Sequence, residues 1–160
     1  GPNTPTKSDA WSTLSSLLRG KPLTEREAAA RLRRAGFAAD ETAAAVRRAV
    51  DEELLDDRLF AKLWVDDRLL HHPLSRRAVE VELVEKGVAR ELIAGALDAA
   101  YPSSKETELA HELAAGRWAR LAGCEPDVRR RRVMDHLLRR GFPAGLAGDA
   151  VRRVEREEDA

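Results

Sequence analysis

The chain has 160 residues, with 28 basic against 28 acidic side chains, 43% hydrophobic content and only 4% aromatic. Strands are built from β-branched and aromatic residues, whereas Ala, Leu, Arg and Glu favour helices. A single isoleucine (Ile93), eleven valines and twenty-seven alanines therefore exclude sandwiches, barrels and parallel sheets and predict an all-α fold.

In chain order, Gly1 and Pro2 read as a protease-cleavage scar opening a loose start over residues 1–7. No signal-peptide pattern opens the chain and no apolar run approaches the roughly 20 residues of a membrane helix, so no membrane role and a cytoplasmic location are expected. Helical periodicity and caps place helices over 8–19, 25–35 and 40–53, then 57–70, 76–86 and 90–100, then 104–121, 128–140 and 145–157. Thr24 and Ser75 have the character of hydroxyl N-caps, and Thr24-Glu25-Arg26-Glu27 has the capping-box spacing.

Internal repetition orders these elements. Leu32 to Gly36-Phe37, Leu83 to Gly87-Val88 and Leu137 to Gly141-Phe142 share one pattern, 51 and 54 residues apart. Each glycine sits where a helix ends and the backbone turns left-handed. Pro22-Leu23-Thr24 is echoed by Pro73-Leu74-Ser75, and Trp11, Trp64 and Trp118 fall one to a repeat. The expected architecture is an elongated tandem array of three three-helix modules, 8–54, 55–101 and 102–160. Alanine-rich interiors bury little apolar area per residue, which favours thin helical layers over a deep core.

Little in the chain suggests catalysis. Cys124 is alone, so neither a disulfide framework nor a cysteine-rich metal site is expected. His71 and His72 are adjacent and point about 100° apart on a helix, while His111 and His136 lack a ligand three or four residues away. No phosphate loop, nucleophile elbow or zinc-protease pattern occurs. A non-enzyme without cofactor or metal is expected.

The charges, although balanced, are segregated. Asp51 to Asp67 carries a net of −5, and Leu113 to Val154 a net of +6. In the helix over 128–140, Arg129, Arg132 and Arg139 lie opposite the stripe of Val133, Met134, Leu137 and Leu138. With Arg140, Arg152 and Arg153 they make a candidate face for DNA or for a filament, since guanidinium forks suit phosphate. Asp56, Asp57, Asp66 and Asp67 form a candidate partner-facing acidic block. One of the first two is expected to cap the helix at 57–70, and the other to complement its dipole.

These residues assemble a resemblance. Leu54-Leu55-Asp56-Asp57-Arg58-Leu59-Phe60-Ala61 resembles the Tyr-Leu-Asp-Asp-x-x-Phe-Ala signature of the RecX family of recombination regulators. Val81 to Val88 is similar to its Glu-Leu-x-x-Lys-Gly-Ile element, and Leu138 to Phe142 to its Arg-Arg-Gly-Phe element. The match runs from about residue 10 to 157, with Leu54 replacing a tyrosine and His72 standing where a glycine commonly precedes the proline. The resemblance implies three tandem three-helix modules. It also implies binding to RecA recombinase and its nucleoprotein filament, and inhibition of ATP hydrolysis, strand exchange and coprotease activity. Single- or double-stranded DNA is a further implied partner, and a monomer is expected. Two alternatives stay open at this point: a stand-alone DNA-binding helical module, and a helical adaptor unrelated to recombination.

Overall fold

The computed structural model describes residues 8–160; the scar and loose start expected over residues 1–7 lie outside them. Among the described residues the regular structure is helical throughout: α1 (Ala10–Gly20), α2 (Glu25–Arg34), α3 (Ala39–Asp51), α4 (Asp57–His71), α5 (Arg76–Glu85), α6 (Arg90–Ala100), α7 (Lys105–Arg120), α8 (Pro126–Arg139) and α9 (Ala144–Asp159). Every expected helix is present, with four ends misjudged by two residues: α1 begins at Ala10 rather than 8, α9 runs to Asp159 rather than 157, and α8 and α3 differ at one end each. α8 begins at Pro126 rather than 128, because proline is preorganised for the first helical position. α3 stops at Asp51 rather than 53, because Glu53 takes a positive φ of 60°.

The repeated Leu-x-x-x-Gly-apolar pattern is one physical device used three times. Gly36, Gly87 and Gly141 have φ of 97°, 84° and 89°, as the pattern predicts. After each glycine the next amide donates back to the leucine carbonyl: Phe37 to Leu32 at 3.2 Å, Val88 to Leu83 at 3.1 Å and Phe142 to Leu137 at 3.2 Å. This six-residue closure satisfies a carbonyl that the helix end leaves unpaired. Leu32, Leu83 and Leu137 are fully buried, so each turn is anchored in apolar packing as well as by hydrogen bonds. Truncating such a leucine to alanine costs about 2–5 kcal/mol.

Contacts divide the chain into two compact units, and the cut runs through α4, α5 and α6. Among the described residues the first unit comprises residues 8–63 together with Leu83–Ile93. Its core packs Ala10 and Leu14 of α1, Leu23, Ala28 and Leu32 around α2, Ala45 and Ala49 of α3, and Leu55, with Trp11, Phe37 and Val46 closing the edge. The second unit comprises Trp64–Glu82 and Ala94–Ala160. There α7 packs on α8 and α9, burying Leu109, Ala110, Ala114, Trp118, Val133, Leu137, Ala147, Val151 and Val154.

Each unit contains one joint between successive repeats, and the two joints are built alike. In the first, Thr24 caps α2 by accepting from Glu27 N at 3.1 Å, and its hydroxyl donates to the carbonyl of Lys86 at 2.6 Å. Glu25 N donates to Asp57 Oδ1 at 3.0 Å. In the second, Ser75 caps α5 by accepting from Ala78 N at 3.1 Å, and its own amide donates to the carbonyl of Arg140 at 3.0 Å. Arg76 N donates to Glu106 Oε2 at 3.3 Å. The hydroxyl cap thus meets the residue before the glycine of the following repeat, and a carboxylate from that repeat's first helix takes the next free amide. Both glycines also need to lack a side chain. A Cβ on Gly87 would lie 2.6 Å from Arg26 Cβ, and one on Gly141 would lie 2.6 Å from Ser75 Oγ and 2.8 Å from Ala78 Cβ.

Candidate nucleic-acid interface

The arginines of the second unit fall into two populations. One is spent on carboxylates and on the fold. Arg129 donates to the Trp118 carbonyl through Nε at 3.0 Å and Nη2 at 2.7 Å, stacks 3.9 Å from the Trp118 ring and pairs with Glu158 at 3.3 Å. Trp118 Nε1 also donates to Glu158. Arg130 pairs with Glu155 at 2.7 Å and Asp127 at 2.6 Å, and its hydrogen bonds hold the Glu155 carboxyl below its ordinary value. Arg152 pairs with Asp149 at 2.5 Å, and Arg153 with Glu157 at 3.0 Å and Glu108 at 3.5 Å.

The other population has no carboxylate. Arg117 and Arg120 stand in the last turn of α7, and Arg139 ends α8, with no acidic partner among the described residues. Arg140 gives Nη1 to the Pro73 carbonyl at 2.9 Å and is otherwise uncompensated. Arg132 is exposed and touches only Cys124 Sγ, at 3.9 Å. His136 lies among these groups. Burial lowers its pKa first, and the charges of Arg117, Arg140, Arg139 and Arg120 lower it further. Arg140 is likewise lowered, by burial and then by Arg117. The charges of two arginines of α7 and two at the end of α8 thus act on one imidazole.

The expected face is accordingly corrected in one member and qualified in two. Arg129 is not a free side chain opposite the core; 12% exposed at the side chain, it clamps Trp118, so its removal cannot leave folding intact. Arg152 and Arg153 reach the surface already paired. Arg132 and Arg139 are exposed as expected, and Arg140 is half-buried beside them. Arg117 and Arg120 were not among the expected residues. Their spacing of three, which puts both on one side of α7, was the available signal.

The acidic block also divides. Asp56 is exposed and caps α4, accepting from Leu59 N at 3.0 Å. Asp57 is buried and belongs to the first joint, where it caps α2 rather than its own helix; it presents no surface to a partner. Burial raises its pKa, an effect opposed by the Glu25 amide and reinforced by Asp56 and Glu27. Asp66 and Asp67 are exposed on α4.

Each tryptophan carries a stacked arginine: Arg48 over Trp11 at 3.9 Å, Arg68 over Trp64 at 4.6 Å and Arg129 over Trp118. Trp64 and Arg68 also share Glu82, at 3.2 and 3.0 Å. The tryptophans thus serve internal packing. No group of three or more His, Cys, Asp or Glu among the described residues could hold a metal, and no helix there is long and apolar enough to cross a membrane.

Comparison with known proteins places this helical arrangement. Residues 56–97 match the second three-helix domain of RecX, and residues 104–151 the third. The chain is 36% identical over 136 residues to the regulatory protein RecX of Thermobifida fusca, covering 85% of this chain and 73% of that one. The chain belongs to the RecX family. Against RecX of Streptomyces coelicolor the identity is 34% over 142 residues, covering 89% and 75% of the two chains. The crystal structure of RecX from Lactobacillus salivarius superposes with a TM-score of 0.76 at 17% identity, covering 91% and 94%. RecX proteins bearing the name are regulatory proteins, and the all-α fold of tandem three-helix modules is theirs.

Proposed function

We propose that this chain binds a RecA recombinase and its DNA filament, and that it restrains ATP hydrolysis, strand exchange and coprotease activity. Family membership over most of the chain carries this reading. The charge division supports it: exposed Asp56, Asp66 and Asp67 suit a basic protein surface, and Arg132, Arg139 and Arg140 suit DNA. Arg152 and Arg153 contribute at the edge, exchanging their carboxylates for phosphate. The protein acts in this reading as a cytoplasmic monomer, without cofactor or catalysis, on single- or double-stranded DNA.

Strand exchange tests the proposal. Sub-stoichiometric to equimolar protein lowers product formation by the recombinase, and undiminished exchange with excess folded protein contradicts it. A second reading, a stand-alone DNA-binding module, is favoured by the uncompensated arginines around His136 alone. It predicts salt-sensitive DNA binding with no effect on the recombinase.

A further inference from the structure

α3 is apolar on two sides. On one, Ala45 and Ala49 enter the core of the first unit with Leu14 and Leu32. On the other, Ala39, Ala43, Val46 and Val50 recur at intervals of four, three and four residues, the spacing of a second stripe along a helix. Val46 is half-buried, while Ala39, Ala43 and Val50 are exposed, Val50 by 37%. α2 is built likewise: Ala28 and Leu32 are buried, and Arg26, Ala29, Ala30 and Arg33 recur on a different side. These two second stripes line one open groove of about 550 Å³. Alanines in both walls leave it unfilled, where larger side chains would have closed it.

The charge of the groove is one-sided. Arg26 and Arg33 stand on the α2 wall and Arg47 on the α3 wall, and Glu25 is the one acid in the lining. Arg33 and Arg47 have no carboxylate partner among the described residues, and Arg26 gives Nη2 to the carbonyl of Glu85 at 3.4 Å. Arg33 lies in the last turn of α2, where it complements the helix dipole, but Arg26 lies in the first turn, where a cation is disfavoured. An apolar floor between cationic rims fits a helix whose apolar face is flanked by carboxylates. A sugar–phosphate backbone would match the rims but has no apolar face for Val46 and Val50. Arg26 and Arg33 are two helical turns apart, about 10 Å of rise, so about two turns of the occupant lie in the groove.

We propose that the groove between α2 and α3 docks an acidic amphipathic helix of a partner protein. Ala43, Val46 and Val50 meet its apolar face, and Arg26, Arg33 and Arg47 meet its carboxylates. The site uses none of the arginines of the second unit and none of the acids of α4, and it stands independently of the recombinase reading.

Fluorescence anisotropy of two labelled peptides of about 16 residues, long enough for four turns, tests the groove on the full chain. Both carry leucines and alanines along one helical face; one has glutamates on both flanks of that face, the other lysines at the same places. The glutamate peptide binds the parent, and the lysine peptide binds about ten-fold or more weakly, because like charges then meet across the rims. Arg33→Glu/Arg47→Glu reverses that order. Ala43→Leu fills the floor at an exposed helical position and weakens the glutamate peptide. Neither variant alters a buried residue, so both melt near the parent midpoint. Should the double reversal fail to fold, Arg33→Gln/Arg47→Gln brings the two peptides to nearly equal affinity. No binding of the glutamate peptide, equal affinity of the parent for both peptides, or unaltered affinity in Ala43→Leu overturns the proposal. An order that responds to Arg132→Glu/Arg139→Glu and not to the groove variants overturns it too, since the second unit would then hold the acidic peptide. Labelled oligothymidine supplies the last arm: loss of its binding in Arg33→Glu/Arg47→Glu, with the peptide order unchanged, would make the groove a nucleic-acid contact instead.

Discussion

The joint at Thr24 and Gly87 and the joint at Ser75 and Gly141 solve one problem with different donors. In both, the carbonyl preceding the glycine needs a partner from the cap of the preceding repeat. At the first joint the Thr24 amide is taken by Glu27 Oε1 at 3.0 Å, completing a capping box, so the hydroxyl makes the cross-repeat bond. At the second the residue in the Glu27 place is Ala78, no carboxylate competes, and the Ser75 amide makes the bond instead. The third helical residue thus decides whether a side chain or the backbone ties two repeats together. A side-chain tie can be removed by mutation; a backbone tie cannot.

The largest effect that sharpens this comparison is at the glycines. Both have positive φ, which costs a β-branched residue about 1–3 kcal/mol. At Gly87 the obstructing atoms are Arg26 Cδ, which can swing aside, and Arg26 Cβ, which cannot move without shifting α2. At Gly141 they are Ser75 Oγ, whose rotation would break the α5 cap, and Ala78 Cβ, which cannot move without shifting α5. Gly87→Val and Gly141→Val therefore each lose about 4 kcal/mol, strain and overpacking together. Denaturant unfolding of the two variants checks this; a loss below about 1 kcal/mol at either glycine would show that its joint yields to a side chain.

Next come the caps. Thr24→Ala removes a cap worth about 1 kcal/mol and orphans the Lys86 carbonyl, for a total near 2–3 kcal/mol. Ser75→Ala removes only the cap and loses about 1 kcal/mol. Unfolding free energies in the opposite order would break the account of the joints.

The smallest effect is a pH dependence at Asp57. Its carboxyl is raised above 3.8 by burial, so folding favours the protonated form. The stability it contributes is present in full below that value and is lost as pH rises through the folded value. Asp57→Asn keeps an oxygen for the Glu25 amide and escapes this loss. The stability of the variant relative to the parent accordingly increases from pH 3.8 towards neutrality. A relative stability that falls over that range would mean that the charge, rather than the oxygen, serves the α2 terminus.

Local signals were legible in the sequence wherever one residue type is needed for one backbone state. The three glycine turns, the Thr24 capping box and the nine helices among the described residues are of this kind. Glu53 shows the limit: it ends α3 through the same closure, Leu54 N donating to the Ala49 carbonyl at 2.8 Å, without a glycine to announce it. Asp57 stands in the first turn of α4 as expected, but its tie to the Glu25 amide was missed because that partner lies 32 residues away, beyond any local pattern. The basic face was overdrawn for a similar reason. The net of +6 stopped at Val154, just before Glu155, Glu157 and Glu158; Glu157 meets Arg153 within α9, while the packing of α9 on α8 brings Glu155 and Glu158 onto Arg130 and Arg129. Pairs within a helix, such as Arg152 with Asp149 and Arg153 with Glu157, have the spacing of helix neighbours, whereas the pairs between helices have no record along the chain.

The central claim concerns what the chain does to a recombinase. The rate of ATP hydrolysis by RecA on single-stranded DNA, with and without this protein at up to equimolar concentration, tests it most directly. The account predicts a rate that falls as the protein is added. A rate unchanged by excess folded protein, under conditions where the protein still binds DNA, would contradict it.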